Sequence, residues 1–238
     1  MSTKTTTIGF IGLGAMGAPM TRNLLQADFN VTIYDIDPKK MQDFPNAVLA
    51  DSVEQLVQNN EIIITSVPSF EIATNLAQDL LPHAHSGQIF IELSTMTPSQ
   101  AIMLADKYKA AGVTRLDVPV SGGSYGSERG TLRMFVGGDE EIAKQCWQIF
   151  EVLGDPDRIV YCGIAGRGQM VKIVNQVSMG LKNAIFLETI GYGVQMGIDI
   201  DVMMQGIGGD DAWRQVFDGI ATYIRDKDAT DMEVKFVQ

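Results

Sequence analysis

The feature that most constrains this chain is a run of closely spaced glycines near its start, Gly12-Leu13-Gly14-Ala15-Met16-Gly17, set between an Ile-rich stretch, Thr7–Ile11, and an amphipathic one over residues 15–27. Three glycines at that spacing suit a strand that turns sharply into a helix. Gly12 makes the tight turn, Gly14 leaves the backbone bare for a pyrophosphate, and Gly17 lets the helix lie close against the strand. The free N–H groups and positive end of the helix then face the phosphates. Alone the pattern is weak, and its context strengthens it. The next apolar run ends in Tyr34-Asp35, and Asp35 lies 18 residues past Gly17. A carboxylate there can accept both ribose hydroxyls of an adenosine and repels a 2′-phosphate. Position 36 is Ile rather than Arg, so NAD is expected as the cofactor, with NADP kept possible by Lys39 and Lys40.

The rest of the N-terminal half keeps the same rhythm. Residues 31–34, 62–66, 89–93 and 114–118 are short Ile/Val-rich runs with little alternation, which is how parallel strands covered on both faces read. Helical patterns lie between them, such as Phe70–Leu80 and residues 98–111, the latter opened by Thr97 and Pro98 and stopped by Gly112. Residues 133–136 and 158–161 are further strand candidates flanking a helix over 140–152. Past Gly163 the strand signals stop. The expected fold class is α/β, an N-terminal Rossmann-like doubly wound sheet followed by an all-helical C-terminal part. The boundary falls in GIAGRG, which gives a dinucleotide-binding domain over residues 1–163 and a helical substrate and oligomerisation domain over 164–238.

Composition narrows the classes of function. With 18 Lys and Arg against 29 Asp and Glu, the net charge of −11 offers no footprint for nucleic acid. Two cysteines, Cys146 and Cys162, and two histidines, His83 and His85, lack metal-type spacing, so free thiols and no metal site are expected. The polar start, MSTKTTT, does not read as a signal peptide, so none is expected, and no stretch approaches the ~20 apolar residues of a membrane span. A soluble, cytoplasmic protein is expected.

Two later segments carry chemistry. In Gln169-Met170-Val171-Lys172-Ile173-Val174-Asn175-Gln176-Val177 the text is apolar around the helix, which predicts a buried helix, and Lys172 is the exception. Burial lowers a lysine pKa, which suits proton exchange with a hydroxyl near neutral pH. The amide of Asn175, three residues on, can hold a substrate beside it. From the segment alone, a lysine snorkelling at a helix edge is the commoner case. The second segment, Ser121-Gly122-Gly123-Ser124, reads as a glycine loop at a strand end, where bare N–H groups can meet an anion such as a substrate carboxylate, or simply as a flexible connection.

Taken together these motifs resemble the β-hydroxyacid dehydrogenase family. The matching residues are Gly9 to Gly17, Ser94-Thr95, Asp117-Val118-Pro119-Val120-Ser121-Gly122-Gly123, Gly130-Thr131-Leu132, Val136-Gly137-Gly138, and Gly163, Gly166 and Gly168 ahead of Lys172-Ile173-Val174-Asn175. The resemblance implies hydride transfer between NAD(P) and a small 3-hydroxy carboxylic acid of the 3-hydroxyisobutyrate kind. It makes Lys172 the general acid/base, gives the substrate carboxylate to Ser121, Gly122 and Gly123, and lets Asn175 position the substrate. It also brings Val67, Pro68 and Thr95 to the cofactor and implies a homodimer or homotetramer.

Two departures accompany the match. Gln176 stands where the family often has a second Asn. The family's later Lys-Asp pair is missing before the chain reaches Phe236-Val237-Gln238, so the helical part is expected to be incomplete relative to the family and to expose Val202, Met203 and Met204. The competing expectation is a dinucleotide-binding module without catalysis, or an inactive fragment of such an enzyme.

Overall fold

The computed structural model describes residues 6–209 and 212–227. Strand β1 (Thr7–Ile11) feeds helix α1 (Gly17–Gln26), and the alternation continues through β2 (Asn30–Tyr34), β3 (Val48–Leu49), α2 (Val53–Asn59), β4 (Ile62–Thr65), α3 (Phe70–Leu80), β5 (Ile89–Glu92), α4 (Pro98–Ala110) and β6 (Thr114–Asp117). These six strands are parallel, in the order β3-β2-β1-β4-β5-β6. That is the order of a Rossmann-like doubly wound sheet, with its reversal between β1 and β4, beside the glycine-rich turn. An extension follows: β7 (Val120–Ser121), α5 (Gly123–Arg129), β8 (Leu132–Gly137), α6 (Glu140–Gln145), α7 (Trp147–Leu153) and β9 (Gly154–Gly163). Strand β8 runs antiparallel to β6 and β7 and parallel to β9. Three helices complete the described chain, α8 (Arg167–Gln195), α9 (Ile200–Ile207) and α10 (Ala212–Lys227).

The absence of alternation in the central strands has the cause expected. All four residues of β4 and of β5 are buried. Because successive side chains point to opposite faces, each strand feeds two cores. Ile8, Phe10, Ile62, Ile64, Ile89 and Ile91 join the core on one face, together with Met20 and Leu24 of α1 and Phe150 of α7. Ile63 and Phe90 join the other, with Leu56 of α2, Ala77 of α3 and Leu104 of α4. Helix α4 carries the cap its sequence announces: the Thr97 hydroxyl accepts from the Gln100 amide, and the Gln100 side chain accepts from the Thr97 amide at 2.8 Å.

Three expectations about the elements themselves are corrected. The glycine loop at 121–124 is not a loop, because Ser121 closes β7 and Gly123 opens α5, the backbone turning at Gly122 (φ +144°) and Gly123 (φ +60°). The single helix over 140–152 is two, broken at Cys146, whose backbone (φ −91°, ψ 0°) ends α6 and begins α7. The apolar segment around Lys172 is not a buried helix. Val171, Ile173, Val174 and Val177 are exposed, Val174 at 69%, while Lys172 is 6% exposed. One face of α8, that of Gln169 and Lys172, is buried.

The chain divides into two compact units, Met1–Ile173 and Val174–Gln238, with α8 running through the division. Among the described residues the last strand ends at Gly163. The second unit has its own small core of Phe186, Ile190, Met203, Phe217 and Ala221. The rings of Phe186 and Phe217 meet edge to face at 5.7 Å. Asp199 caps α9, accepting from the Asp201 amide at 2.8 Å. Of the three residues expected to be exposed on that helix, Val202 is exposed, Met204 is half-buried and Met203 is buried: Gly193 lacks the Cβ that would strike the Met203 sulfur, so the thioether packs onto α8. The chain end at Phe236-Val237-Gln238 lies outside the described residues. Among the described residues no helix is long and apolar enough to cross a membrane.

Phe10 is fully buried between β1 and α1. Its replacement by Ala is expected to cost about 3–5 kcal/mol, read as a lower urea midpoint with an unchanged slope.

Candidate functional site

The glycine-rich turn has the geometry its spacing announces. Gly12 has φ +96°, and a Cβ there would strike the Ser66 carbonyl of the neighbouring strand end. A Cβ on Gly17 would strike the Gly12 carbonyl and come within 3.1 Å of the Phe10 ring, so only glycine allows α1 to start this close to β1. Around Gly14 nothing lies within 4 Å of where a Cβ would stand. A bare backbone facing open space at the start of a ten-residue helix is a cradle for a pyrophosphate, so the residues present fit a dinucleotide. Leu13, Ala15 and Met16 complete the turn, and the Met16 carbonyl accepts from the Ser127 hydroxyl of α5 at 2.8 Å.

Asp35 is 6% exposed at the end of β2. Its Oδ2 accepts from the Leu13 amide at 2.7 Å and its Oδ1 from the Asp37 amide at 2.9 Å. The Lys40 ammonium lies 3.3 Å and 3.4 Å from the two oxygens. Burial pushes this carboxyl up, but the two amides and Lys40 outweigh it and hold the pKa below its ordinary value. The carboxylate therefore first fixes the glycine turn. Its remaining accepting positions meet only the long contacts to half-exposed Lys40, which a stronger donor can displace.

The other parallel strands end along the same edge, where a buried network joins them. The Val67 amide, after β4, donates to the Ser94 hydroxyl at 2.8 Å. The Ser94 amide, after β5, donates to Glu92 Oε1 at 3.0 Å, and Arg115 lies 3.8 Å from Glu92 Oε2 in a pair buried on both sides. At the end of β6, Asp117 accepts from the Gly166 amide at 2.8 Å and the Gln169 amide at 3.1 Å, so its carboxylate caps α8. The Gln169 side chain returns to the end of β5, donating to the Ser94 carbonyl at 2.9 Å and accepting from the Met96 amide at 3.1 Å. Thr95, between them, is exposed, as is Pro68 beside half-buried Val67.

Lys172 stands one helical turn after Gln169, inside the same unit, and burial lowers its amine to a pKa of about 8. Ser121 is buried at the end of β7, and Gly122 and Gly123 follow it exposed. Asn175 belongs to the second unit, where its amide nitrogen lies 3.4 Å from Gln176 Oε1 and 3.5 Å from the Met179 sulfur. Burial pushes the Cys146 and Cys162 thiols up to about 12 and about 11, so neither is poised to react. The sequence singled out Asp35, Lys172 and the turn, and did not single out Gln169 or the cap made by Asp117. A glutamine one turn before a lysine in an apolar helix was the available signal.

Residues 7–165 match the family described as the NAD binding domain of 6-phosphogluconate dehydrogenase. The 3-hydroxyisobutyrate dehydrogenase of Pseudomonas aeruginosa is 35% identical over 214 residues, covering 86% of this chain and 71% of that protein. The 2-(hydroxymethyl)glutarate dehydrogenase of Eubacterium barkeri is 33% identical over 86% of this chain and 69% of its own. Among solved structures, the Mycobacterium tuberculosis 3-hydroxyisobutyrate dehydrogenase with L-serine superposes with a TM-score of 0.77 at 26% identity, covering 95% of this chain and 89% of that one.

The turn makes a sharp pair of expectations. Gly14→Ala meets no atom, so its stability stays within ~0.5 kcal/mol of wild type, while NAD affinity falls because a methyl now stands where the phosphates approach. Gly17→Ala must displace α1 and loses stability and NAD binding together. Calorimetric titration with NAD beside thermal unfolding separates the two, and a Gly14→Ala protein with wild-type affinity would refute the cradle.

Proposed function

The chain belongs to the β-hydroxyacid dehydrogenase family, and from that premise we propose that it interconverts acids of the form HOCH2–CH(R)–COO⁻ and their semialdehydes, with Lys172 as general acid/base. As a member of the family it is an NAD(P)-dependent hydroxyacid dehydrogenase. The substrate class is the part shared by 3-hydroxyisobutyrate, 2-(hydroxymethyl)glutarate and L-serine, the compounds named with its relatives. All three carry a primary alcohol next to a carbon that bears the carboxylate.

The observation that carries the reading is the placement of Lys172, a buried amine lowered to about 8, on the turn of α8 that Asp117 caps and Gln169 joins to the end of β5. A base must be neutral to take a proton, and an acid charged to give one, so a pKa near the working pH serves both directions. In oxidation, neutral Lys172 takes the proton of the 3-hydroxyl. In reduction, the Lys172 ammonium returns it to the oxygen of the aldehyde carbon. The nicotinamide, when bound, supplies the redox chemistry as partner for the hydrogen on C3. Gly12 to Gly17 would hold its pyrophosphate, Asp35 its adenosine ribose, and Val67, Pro68 and Thr95 its nicotinamide side. NAD is favoured because a 2′-phosphate would meet the Asp35 carboxylate, and Lys40 keeps NADP possible. The substrate carboxylate goes to the Ser121 hydroxyl and the amides of Gly122 and Gly123. The family pattern gives the amide of Asn175 to the substrate as well.

Steady-state kinetics with NAD and NADP on 3-hydroxyisobutyrate, L-serine, 2-(hydroxymethyl)glutarate and 3-hydroxybutyrate test this. Turnover of at least one of the first three, with NAD the more efficient cofactor, is expected. The secondary alcohol 3-hydroxybutyrate should be poor. Binding of NAD without oxidation of any acid would leave a dinucleotide-binding module instead.

Lys172→Met should lower kcat by about 10²–10⁴-fold and leave NAD affinity intact. Loss of both would mean a structural lysine. The pH profile has a definite sign: with a base that loses its proton near 8, oxidation accelerates as pH rises to about 8 and then levels, whereas reduction stays level up to about 8 and slows above it. A flat profile in both directions would remove Lys172 from the proton transfer.

A further inference from the structure

Gln169 is completely buried. A buried amide is costly unless both of its ends are satisfied, and when satisfied it is directional in a way no apolar side chain can be. Gln169 Oε1 accepts from the Met96 amide at 3.1 Å and Nε2 donates to the Ser94 carbonyl at 2.9 Å. One side chain therefore pins the residues on both sides of Thr95, whose own side chain is left exposed. The same loop is tied onward through the Ser94 hydroxyl, which accepts from the Val67 amide at 2.8 Å. On its own helix, the Gln169 backbone amide is held by Asp117 at 3.1 Å. Gln169 and Lys172 are three residues apart and both buried, so they share a face of α8.

We propose that Gln169 is a positioning residue: its side-chain amide sets the rotation of the α8 turn that carries Lys172 and, through the same two hydrogen bonds, the path of the Ser94–Met96 loop and the Val67 turn behind it. This rests on the reading above, in which Lys172 exchanges the proton and that loop meets the cofactor. An apolar side chain could fill the volume but would not choose a rotation. Lys172 reaches its reacting atom on a four-carbon stem, so a small turn of the helix moves the amine a long way, and about 1 Å of misplacement costs on the order of 100-fold in rate. The seating of the turn also keeps the amine out of water, the cause of its lowered pKa.

The test is Gln169→Leu in the full chain, with two readings that need no turnover: NAD affinity by calorimetric titration, and the titration of Lys172 by NMR of 13Cε-labelled lysine, assigned by the signal lost in Lys172→Met. NAD affinity is expected to weaken about 10-fold or more, and Lys172 to titrate closer to the ordinary 10.5. In the acid that the wild type oxidises best, kcat should fall further than KM rises. If affinity and titration both stay at wild-type values, even with a lower urea midpoint, Gln169 is only structural and the positioning role is overturned. A shift in one alone also overturns it, since a single amide is proposed to hold both. If Gln169→Leu does not accumulate folded, Gln169→Asn, which keeps the amide one methylene short, is read in its place. A wild type that binds no NAD, or a Lys172→Met that keeps full turnover, brings down the underlying reading and this role with it. Wild-type binding and a dead Lys172→Met beside an unaltered Gln169→Leu bring down the positioning role alone.

Discussion

Asp117 is 1% exposed, and a carboxylate removed from water that far has to be compensated inside the protein. Burial pushes its pKa up, and the Gly166 amide, the Arg115 guanidinium and the Gln169 amide push back. Both amides belong to the opening of α8, where a helix has donors with no partner of their own and the positive end of its dipole. The compensation works in both directions, since the carboxylate caps the helix and the helix solvates the carboxylate. The fit is tight enough to dictate glycines. A Cβ on Gly137 would stand 2.7 Å from Asp117 Oδ1, and one on Gly168 would stand 2.9 Å from Oδ2. The glycines that bracket this region in the sequence are thus the room that Asp117 needs, and through α8 they locate Lys172.

Much of the fold was legible because the deciding interactions are local in sequence. Buried Ile runs identify the central strands, and Thr97, Pro98 and Gly112 punctuate α4. Strand β3 was not legible, being two exposed residues whose pairing with β2 is all that makes them a strand. Helix α5 was hidden for a different reason: three of the four residues in its first turn, Gly123, Ser124 and Gly126, favour loops when read locally. What holds it is tertiary. The Ser127 hydroxyl reaches the Met16 carbonyl, and Asn23 of α1 reaches the Ser127 carbonyl at 2.8 Å.

The site divides in the same way. Gly12, Gly14 and Gly17 act through their own backbone, so their spacing carries the meaning. Asp35 was recognised by its distance from them, yet its first bonds go to Leu13 and Asp37, which spacing alone does not reveal. Lys172 stood out as a charge in an apolar run, although the burial came out inverted, with the lysine inside and its apolar neighbours exposed. Gln169 gave little sign of itself because its partners, Ser94 and Met96, are more than 70 residues away in the chain.

On the proposed reading, the state of Lys172 also decides how the substrate's carboxylate must be met. An amine that spends its working range partly neutral cannot at the same time be a dependable counter-charge, because each oxidation begins with it uncharged. The chain as a whole, at −11, offers anions no attraction of its own, and its repulsion of them is screened beyond a Debye length of about 8 Å. Recognition of two anionic partners then falls to short-range neutral donors. On that reading the glycine turn would supply N–H groups for one, and Ser121 with the amides of Gly122 and Gly123 would supply donors for the other. Such donors keep their strength whatever the protonation of Lys172. Binding of the acid is therefore uncoupled from the proton transfer that follows it, which lets one lysine serve the reaction in both directions.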